Sequence, residues 1–252
     1  MHAGRWETCA RSGTATESGD VRATEMSRSE RLSSAFYRQL GSEGLAARTM
    51  PAWDRQIVEQ VRSMLEPGQR VLDLGCGYGR IAVPLAQKGY PVVGLDLSCT
   101  LLQAARTYAR HKDVTMDLVC ATMRAIPLPA DSIDVVLCLW TAFNELLDRR
   151  EQLTAVRETW RILAPGGWAL FEGPLYAAPT PSEVGSGQRR GPGFRITRGE
   201  ISGFQVHVYR HDHTSLRSLM RSAGISSYRI HTGQWAGRER LFLCLEKARG
   251  AA

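Results

Sequence analysis

The stretch that decides the fold is VLDLGCGYGR, residues 71–80. Its first four residues are apolar except for Asp73, which is typical of a short strand buried in a parallel sheet. Three glycines follow at alternate positions, Gly75, Gly77 and Gly79. Glycine lets the backbone turn sharply and lets a ligand lie directly against the main chain. The segment therefore predicts a strand that ends in a tight, ligand-binding turn before a helix.

Strands and helices alternate along the chain on both sides of this turn. Apolar runs predict strands at 70–74, 91–95, 114–119, 133–139, 168–172, 204–209, 227–231 and 240–246. Helical spacing of apolar residues between the first five of these strands favours a parallel sheet with helices on both faces. The last two strands are joined by a short link, which predicts an antiparallel C-terminal edge. We therefore expect an α/β, Rossmann-like fold with a mostly parallel seven-stranded sheet.

A chain of 252 residues is long enough for one well-buried α/β domain. Residues 1–30 are polar and show no apolar period, so we expect a disordered N-terminal tail followed by a single domain at 31–252. Apolar residues at helical spacing in residues 31–66 predict a helical cap or lid that includes Tyr37 and Trp53. Residues 173–205 contain a Pro/Gly/Ser/Arg-rich insertion, which we expect near the substrate site.

Basic residues are concentrated at the C-terminal end of the chain. Lys and Arg total 32 against 25 Asp and Glu, a net charge of +7, and residues 173–252 hold twelve basic against five acidic residues. Four of these arginines, Arg189, Arg190, Arg195 and Arg198, lie in the insertion. The pattern is consistent with a site for an anionic substrate or nucleic acid, but it favours an ordinary solubilising surface.

The cysteines and the apolar runs limit the compartment and the partners. The six cysteines are scattered singly, and Cys76, Cys120, Cys138 and Cys244 lie in apolar or glycine-rich contexts that favour buried thiols over disulfides. No Cys or His spacing indicates a metal site. No run of eighteen apolar residues occurs, so we expect no membrane partner. These features favour a reducing, cytoplasmic location.

Two carboxylates flank the glycine turn. Asp73 comes directly before it, where it would repel a pyrophosphate and attract a cationic amino group. Asp96 ends the second predicted strand, where an acidic side chain can accept hydrogen bonds from both hydroxyls of a ribose. A ligand with an ammonium group at one end and a ribose beyond it fits S-adenosylmethionine.

With these residues the sequence resembles the class I S-adenosylmethionine-dependent methyltransferases over about residues 34–248. The resemblance implies a Rossmann-like methyltransferase fold and S-adenosylmethionine as the cofactor. By this resemblance, Asp73 holds the amino group, Asp96 binds the ribose and Leu97 packs on the adenine. It assigns cofactor contacts to these further residues: Tyr37, Gly75, Cys76, Gly77, Gly79, Thr122, Met123, Leu139 and Trp140. Many members have Asp where this chain has Thr122, so adenine recognition is expected to be weaker here.

Residues 138–146 follow the fourth predicted strand at the sheet edge where open α/β folds keep their active sites. The resemblance places Asn144 near the transferred methyl group or the acceptor, and Trp140 near the methionine part of the cofactor. Two plainer interpretations stay open, core packing for Trp140 and a helix N-cap for Asn144.

Methyl transfer depends mainly on alignment, and a general base is required only when the acceptor carries a proton at working pH. Alternation along residues 206–211 places His207, Tyr209 and His211 on one side of a strand, which makes His207 the leading candidate base. Tyr176 and Glu172, near the end of the fifth predicted strand, are further candidates. The alternative for the histidines is a solvent-facing edge strand.

The function expected from the sequence is S-adenosylmethionine-dependent methyl transfer to a small-molecule acceptor by a monomer or homodimer. An RNA or other nucleic-acid methyltransferase is the first alternative, because of the basic C-terminal third. Neither a Pro-Cys pair nor an Asn/Asp-Pro-Pro-Tyr/Phe loop follows the fourth predicted strand, which counts against a base-modifying enzyme. A non-catalytic, cofactor-binding module is the second alternative.

Overall fold

A seven-stranded sheet forms the centre of the protein in the computed structural model, which describes residues 25–176, 196–201 and 203–249. The strands are β1 Val71–Leu74, β2 Val92–Asp96, β3 Asp117–Cys120, β4 Ile133–Cys138, β5 Leu163–Pro174, β6 Ile196–Ile201, β7 Phe204–Tyr209, β8 Tyr228–Trp235 and β9 Arg238–Glu246. The sheet order is β3-β2-β1-β4-β5-β9-β8, and β6 pairs with β7 in a separate hairpin. Strands β1 to β5 are parallel, while β9 is antiparallel to β5 and β8. The predicted fold class is confirmed.

Helices cover both faces of this sheet. They are α1 Arg28–Ala46, α2 Pro51–Arg62, α3 Ala82–Gln87, α4 Cys99–His111, the 3-10 helix Ala142–Glu145, α5 Arg149–Ile162 and α6 His213–Ala223. Leu72 and Leu74 of β1 share one apolar cluster with residues of α5 and α6, whereas Val71 joins a second cluster with α2 and α3. Successive strand residues point to opposite faces, so β1 contributes to both cores. The central strand is therefore completely buried.

The first helix begins earlier than predicted. Ser27 and Glu30 form a capping box, in which the Glu30 backbone N–H donates to Ser27 Oγ (3.1 Å) and the Ser27 N–H donates to Glu30 Oε2 (2.8 Å). Ser29 and Glu30 are both buried. The predicted boundary of the tail at residue 30 is therefore wrong for residues 25–30, because the capping signal Ser-x-x-Glu starts the helix there. Residues 1–24 lie outside the described residues.

The insertion begins later than the sequence indicates. Strand β5 starts at Leu163, continues through the Pro-Gly-Gly segment and reaches Pro174 because β9 pairs with it along residues 168–174. The hairpin strand β6 was not predicted. Residues 177–195 and 202 lie outside the described part of the chain, as does the side chain of Arg198. The basic cluster of Arg189, Arg190, Arg195 and Arg198 therefore lies outside the described residues.

One of the cysteine predictions is wrong. Cys76 and Cys138 are buried free thiols as expected, and Cys244 is a partly buried thiol. Cys120, however, forms a disulfide with Cys99. Cys120 ends β3 opposite Asp96, and Cys99 begins α4 just beyond Asp96, so the sheet register brings the two together across 21 positions of sequence. Disulfides are uncommon in reducing compartments, so the cysteines no longer support the expected cytoplasmic location.

Membrane-spanning helices and groups of metal-binding side chains are both absent from residues 25–176, 196–201 and 203–249. None of the helices in this part of the chain has both the length and the apolar character that a membrane crossing requires. Within the same residues, no three His, Cys, Asp or Glu side chains group as ligands for a metal ion.

The disulfide gives a prediction about stability. A loop of this length closed by a disulfide is worth about 3 kcal/mol, mainly through the unfolded chain. We expect Cys120→Ala to lower the free energy of urea unfolding by about that amount in oxidising buffer and by much less in reducing buffer. Cys244→Ala is the control, because its thiol is free and its effect should be the same in both buffers. Equal stability of the wild-type protein in the two buffers would contradict the prediction.

Candidate functional site

A cavity of about 980 Å³, open to solvent, lies above the carboxyl ends of β1, β2 and β4. Its walls are the glycine turn, the residues that follow β2 and β3, residues 139–146 and the inner face of α1. Parallel strands bring their carboxyl ends to the same edge of a sheet, and this is the edge where open α/β folds bind ligands. Among the predicted cofactor residues, all but Gly79 line this cavity.

The glycine turn requires glycine for two different reasons. Gly75, Gly77 and Gly79 have φ values of +84°, +56° and +85°, a region that L side chains rarely adopt. A Cβ on Gly75 would also lie 2.6 Å from Cβ of Ala142, so the turn and the 3-10 helix approach as closely as their backbones allow. A Cβ on Gly79 would instead lie 3.0 Å from Val83 in α3. The absence of a side chain at Gly79 therefore lets α3 pack closely against the end of the turn.

Asp96 connects the end of β2 to the glycine turn. Its Oδ2 accepts from the Gly77 N–H (2.8 Å), and its Oδ1 accepts from the Ser98 N–H (2.8 Å). Each carboxylate oxygen has a second lone pair that can face the cavity. Burial raises the pKa of Asp96 despite these backbone donors. The carboxylate is thus fixed in position and available to a pair of ligand hydroxyls.

Asp73 is the deepest carboxylate of the cavity. It is 3% exposed, and burial raises its pKa to about 7, while Arg80 opposes the shift and Asp96 adds to it. A carboxyl group whose pKa is raised by burial holds its proton more readily until a positive charge approaches. A cationic ligand group would therefore be stabilised beside Asp73.

The opposite wall carries a third carboxylate, Glu145 in the 3-10 helix. Tyr37 Oη donates to Glu145 Oε1 (2.6 Å), and the Ser33 hydroxyl donates to Oε2. Burial raises the pKa of Glu145 to about 7, and Asp96 contributes to the rise. Burial and the neighbouring Glu145 also raise the pKa of Tyr37, which therefore remains a neutral hydrogen-bond donor. The predicted contact residue Tyr37 is thus held at the cavity by Glu145.

Arg80 is the cation of this cavity wall. Its guanidinium lies 4.2 Å from the centre of the Trp140 ring, and its Nη1 is 3.6 Å from Asp54 Oδ1. Trp140 lines the cavity, and its buried Nε1–H has no hydrogen-bond partner among the described residues. A buried donor without a partner is costly unless a ligand or water accepts from it. Trp140 also packs against the apolar cluster of α2 and α3, so its cofactor contact stays a prediction beside core packing.

A buried ion pair fixes the turn that presents Trp140. Trp140 and Thr141 both have left-handed backbones, with φ of +55° and +76°, an arrangement that costs energy in residues other than glycine. Glu172 accepts from the Trp140 N–H (2.7 Å) and pairs with Arg240, whose Nη2 donates to Thr141 Oγ1 (2.7 Å). The oxygens of Glu172 are thus used to hold this turn, which leaves Glu172 a structural role.

The loop after β3 is tied to α1 by Glu30. The Thr122 hydroxyl donates to Glu30 Oε1, and Arg124 Nε donates to the same oxygen (2.7 Å). Glu30 is 4% exposed, and its pKa is lowered because these donors outweigh the effect of burial. The Thr122 hydroxyl, a candidate for adenine recognition, is therefore already used to dock α1. Thr122 and Met123 still line the cavity.

The structure separates the three predicted catalytic residues. Asn144 is buried, and its Nδ2 donates to the Tyr209 carbonyl (2.8 Å) outside the main cavity. The Tyr176 backbone N–H donates to the His211 carbonyl (2.7 Å), and its side chain is not among the described residues that line the main cavity. His207 lines a smaller cavity of about 260 Å³ that shares Ser33 and Glu145 with the main one. Their catalytic roles stay predictions, and only His207 adjoins the site.

Other residues of the site were missed or misplaced by sequence reasoning. Trp53, predicted in the lid, instead packs with Gly237 and Arg238 at the turn between β8 and β9. Glu145 was missed because its partner Tyr37 is 108 positions away in the sequence. The signal available was its place directly after the fourth strand, at the active-site edge of the sheet.

This set of groups fits the expected cofactor. Asp73, Asp96 and Glu145 give the cavity an excess of negative charge, Asp96 is positioned for vicinal hydroxyls, and the Trp140 N–H lacks an acceptor. S-adenosylmethionine offers an ammonium group, a positively charged sulfur, a ribose and a carboxylate. Gly75 and Gly77 also line the cavity, so the backbone of the turn forms part of its wall.

Comparisons with known proteins agree with this geometry. Residues 71–167 match the family described as "Methyltransferase domain". The chain is 27% identical over 224 residues to malonyl-[acyl-carrier protein] O-methyltransferase of Serratia marcescens, covering 82% of each protein. It is 37% identical over 107 residues to the ubiquinone biosynthesis O-methyltransferase of Thiobacillus denitrificans, covering 41% of this chain and 44% of that relative.

A solved structure shows the same fold. The 1,6-didemethyltoxoflavin-N1-methyltransferase of Burkholderia thailandensis, with bound 1,6-didemethyltoxoflavin and S-adenosylhomocysteine, aligns with a TM-score of 0.63 at 15% identity. The alignment covers 86% of this chain and 88% of that protein. At this identity the likeness supports the fold alone.

The close approach between Gly75 and Ala142 can be tested by comparison with Gly89, a glycine that has nearly the same φ angle. Gly75→Ala and Gly89→Ala both place a side chain at strongly positive φ, +84° and +88°, at a cost of about 1–2 kcal/mol. Only Gly75→Ala also meets Ala142, since a Cβ at Gly89 has no atom within 4 Å. We expect urea unfolding to show a larger loss of stability for Gly75→Ala. Equal losses in the two variants would contradict the close approach.

Proposed function

We propose that this chain, which belongs to the class I S-adenosylmethionine-dependent methyltransferases, transfers a methyl group from S-adenosylmethionine to a small-molecule acceptor. The observation that carries the proposal is the cavity with Asp73, Asp96 and Glu145 around a glycine turn. Burial raises the pKa of each of these carboxyl groups, so that each favours a ligand that brings positive charge or hydroxyl donors.

Residues of three walls hold the cofactor in this proposal. Asp73 receives its amino group, Asp96 its ribose hydroxyls, and Leu97 and Met123 enclose its adenine, while the Trp140 Nε1–H is a donor for its polar groups. When bound, the cofactor would supply a methyl group attached to a positively charged sulfur. The acceptor lone pair would bond to the methyl carbon in line with the carbon–sulfur bond, which would break and leave a neutral thioether. The chain's contribution is to fix the reacting partners in one orientation, which can supply about 7–11 kcal/mol of rate enhancement.

Helix α1 forms one wall of the cofactor cavity. Its contacts with the 3-10 helix region include the Ser29 hydroxyl, which accepts from the Leu147 N–H (2.9 Å), and the bonds from Ser33 and Tyr37 to Glu145. The Glu30–Arg124 ion pair anchors the start of the same helix. Exclusion of water strengthens electrostatic interactions in the cavity and prevents transfer to solvent.

The acceptor enters where α1, the 3-10 helix and β7 meet. Ser33, Glu145 and His207 line the smaller cavity there, which adjoins the cofactor cavity. We keep His207 as the proposed proton acceptor for an acceptor that carries a proton. The relatives with O-methyltransferase and N-methyltransferase names act on different acceptor atoms, so the names leave the acceptor atom open.

A nucleic-acid acceptor has one supporting observation, the basic C-terminal third of the sequence. The described cavity instead concentrates carboxylates, which repel a phosphate backbone. The small-molecule proposal is therefore the better supported of the two.

Cofactor binding tests the proposal directly. We expect calorimetry to detect binding of S-adenosylhomocysteine, and Asp96→Asn to weaken it by about tenfold or more because hydrogen bonds from the ribose to a charged acceptor are lost. Asp117→Asn is the matched control, since this exposed carboxylate in β3 is outside the cavity. Absence of binding, or equal weakening by the two substitutions, would sink the proposed cofactor site.

The acceptor class is tested with radiolabelled S-adenosylmethionine. Fractions of cell extract containing small molecules, protein or RNA are incubated with the protein at low salt. We expect label in the small-molecule fraction, with His207→Ala lowering the rate if that acceptor carries a proton. Label that appears only in RNA would instead support the nucleic-acid alternative.

A further inference from the structure

Glu145 is the cavity carboxylate that the glycine-turn motif does not explain. It lies in the 3-10 helix, on the wall opposite β1 and β2, and it also borders the smaller cavity beside His207. Tyr37 and Ser33 both donate to it, so its two oxygens are fixed in direction. A carboxylate held this firmly at the junction of two cavities is well placed to act on a bound ligand.

Glu145 is held by two hydroxyl donors and by no Arg or Lys side chain among the described residues. In the described part of the chain, the ion pairs around the cavity join other residues: Arg80 pairs with Asp54, Arg124 with Glu30, and Arg240 with Glu172. Asp96 is close enough to Glu145 to raise its pKa, so the two carboxylates face a common space. A positive charge in that space would stabilise both of them.

The cofactor and its product differ in charge at one atom. S-adenosylmethionine and S-adenosylhomocysteine share the ammonium group and the ribose, which are the groups assigned to Asp73 and Asp96. The sulfur is positively charged in the first compound and neutral in the second. A group that distinguishes them must therefore act through the charge on sulfur. Of the two further carboxylates that line the cavity, Glu30 is paired with Arg124, whereas Glu145 has only the hydroxyls of Ser33 and Tyr37 as side-chain partners among the described residues.

Resting on the proposed function, we propose that Glu145, positioned by Tyr37 and Ser33, is a specificity determinant that recognises the positive charge of the cofactor. It raises the affinity for S-adenosylmethionine relative to S-adenosylhomocysteine and so favours exchange of product for fresh cofactor. The role is electrostatic, and it requires no proton transfer in the methylation step.

Recognition by Glu145 requires the ionised carboxylate. Its pKa is about 7 without ligand, so the preference should be present above that pH and decline as the pH falls below it. Other titratable or charged groups line the same two cavities. They are Glu30 and Tyr37 on α1, Cys76, Tyr78 and Arg80 in and after the glycine turn, Asp96 at the end of β2 and His207 on β7. Asp73 also titrates near pH 7, but it affects both compounds through their common ammonium group.

Calorimetry with the two compounds as probes tests the inference without any acceptor. The quantity measured is the ratio of the dissociation constant of S-adenosylhomocysteine to that of S-adenosylmethionine. At about pH 7.5 we expect Glu145→Gln to lower this ratio by about tenfold, as one charge–charge interaction in a partly buried site predicts. The change should come from weaker binding of S-adenosylmethionine, with the S-adenosylhomocysteine affinity nearly unchanged. Asp117→Asn removes one exposed negative charge and should leave the ratio as in the wild type.

A pH series on the wild-type protein needs no variant. The ratio should fall between about pH 7.5 and about pH 5.5, and this dependence should be absent in Glu145→Gln. A ratio that is the same in wild type and Glu145→Gln, or that is independent of pH in the wild type, would overturn the inference while leaving the proposed function intact. Binding of neither compound to the wild type would contradict the proposed function and the inference together.

Discussion

The site depends on the cost of holding carboxylates in one partly dehydrated cavity. Asp73, Asp96 and Glu145 all have raised pKa values because burial disfavours their charged forms, and the cavity's own cation, Arg80, is shared with Asp54 and the Trp140 ring. An arrangement of this kind is unfavourable in the free protein and becomes favourable when a cation binds. The affinity for a positively charged cofactor follows from this balance.

The rest of the fold keeps the carboxylates in place. The parallel register of β1 and β2 pairs Leu74 with Leu95, and the turn after β1 donates to the Leu95 carbonyl, so Asp73 and Asp96 are held at neighbouring strand ends. Farther across the sheet, the Glu172–Arg240 pair supports the turn that carries Trp140 toward the cavity. The antiparallel strand β9 supplies this arginine, which explains how the C-terminal edge contributes to the site.

Local signals made much of this architecture predictable. The run ending in Gly75, Gly77 and Gly79 predicts a turn, and these glycines do adopt positive φ values. Asp96, at the end of the next strand, accepts from the N–H of Gly77 in this turn. Both features follow from short-range sequence patterns. The α1 start was missed by a few residues although its capping signal, Ser27 with Glu30, is local, because no apolar period accompanies residues 25–30. The Cys99–Cys120 disulfide and the Tyr37–Glu145 bond also depend on sheet register and helix docking, which a single sequence does not reveal. The Asn144 amide donates to the Tyr209 carbonyl of β7, a tertiary contact that the local pattern does not reveal.

A cation that binds beside the carboxyl groups of the cavity should displace their protons. Calorimetry of S-adenosylmethionine binding at about pH 6.5, in buffers of different ionisation enthalpy, measures this proton release most directly. Because Asp73 and Glu145 have pKa values of about 7 in the free protein and a bound cation lowers them, binding should release protons to the buffer. The observed heat should therefore change with the buffer in the direction of proton release. Binding without proton release, or with proton uptake, would contradict the account.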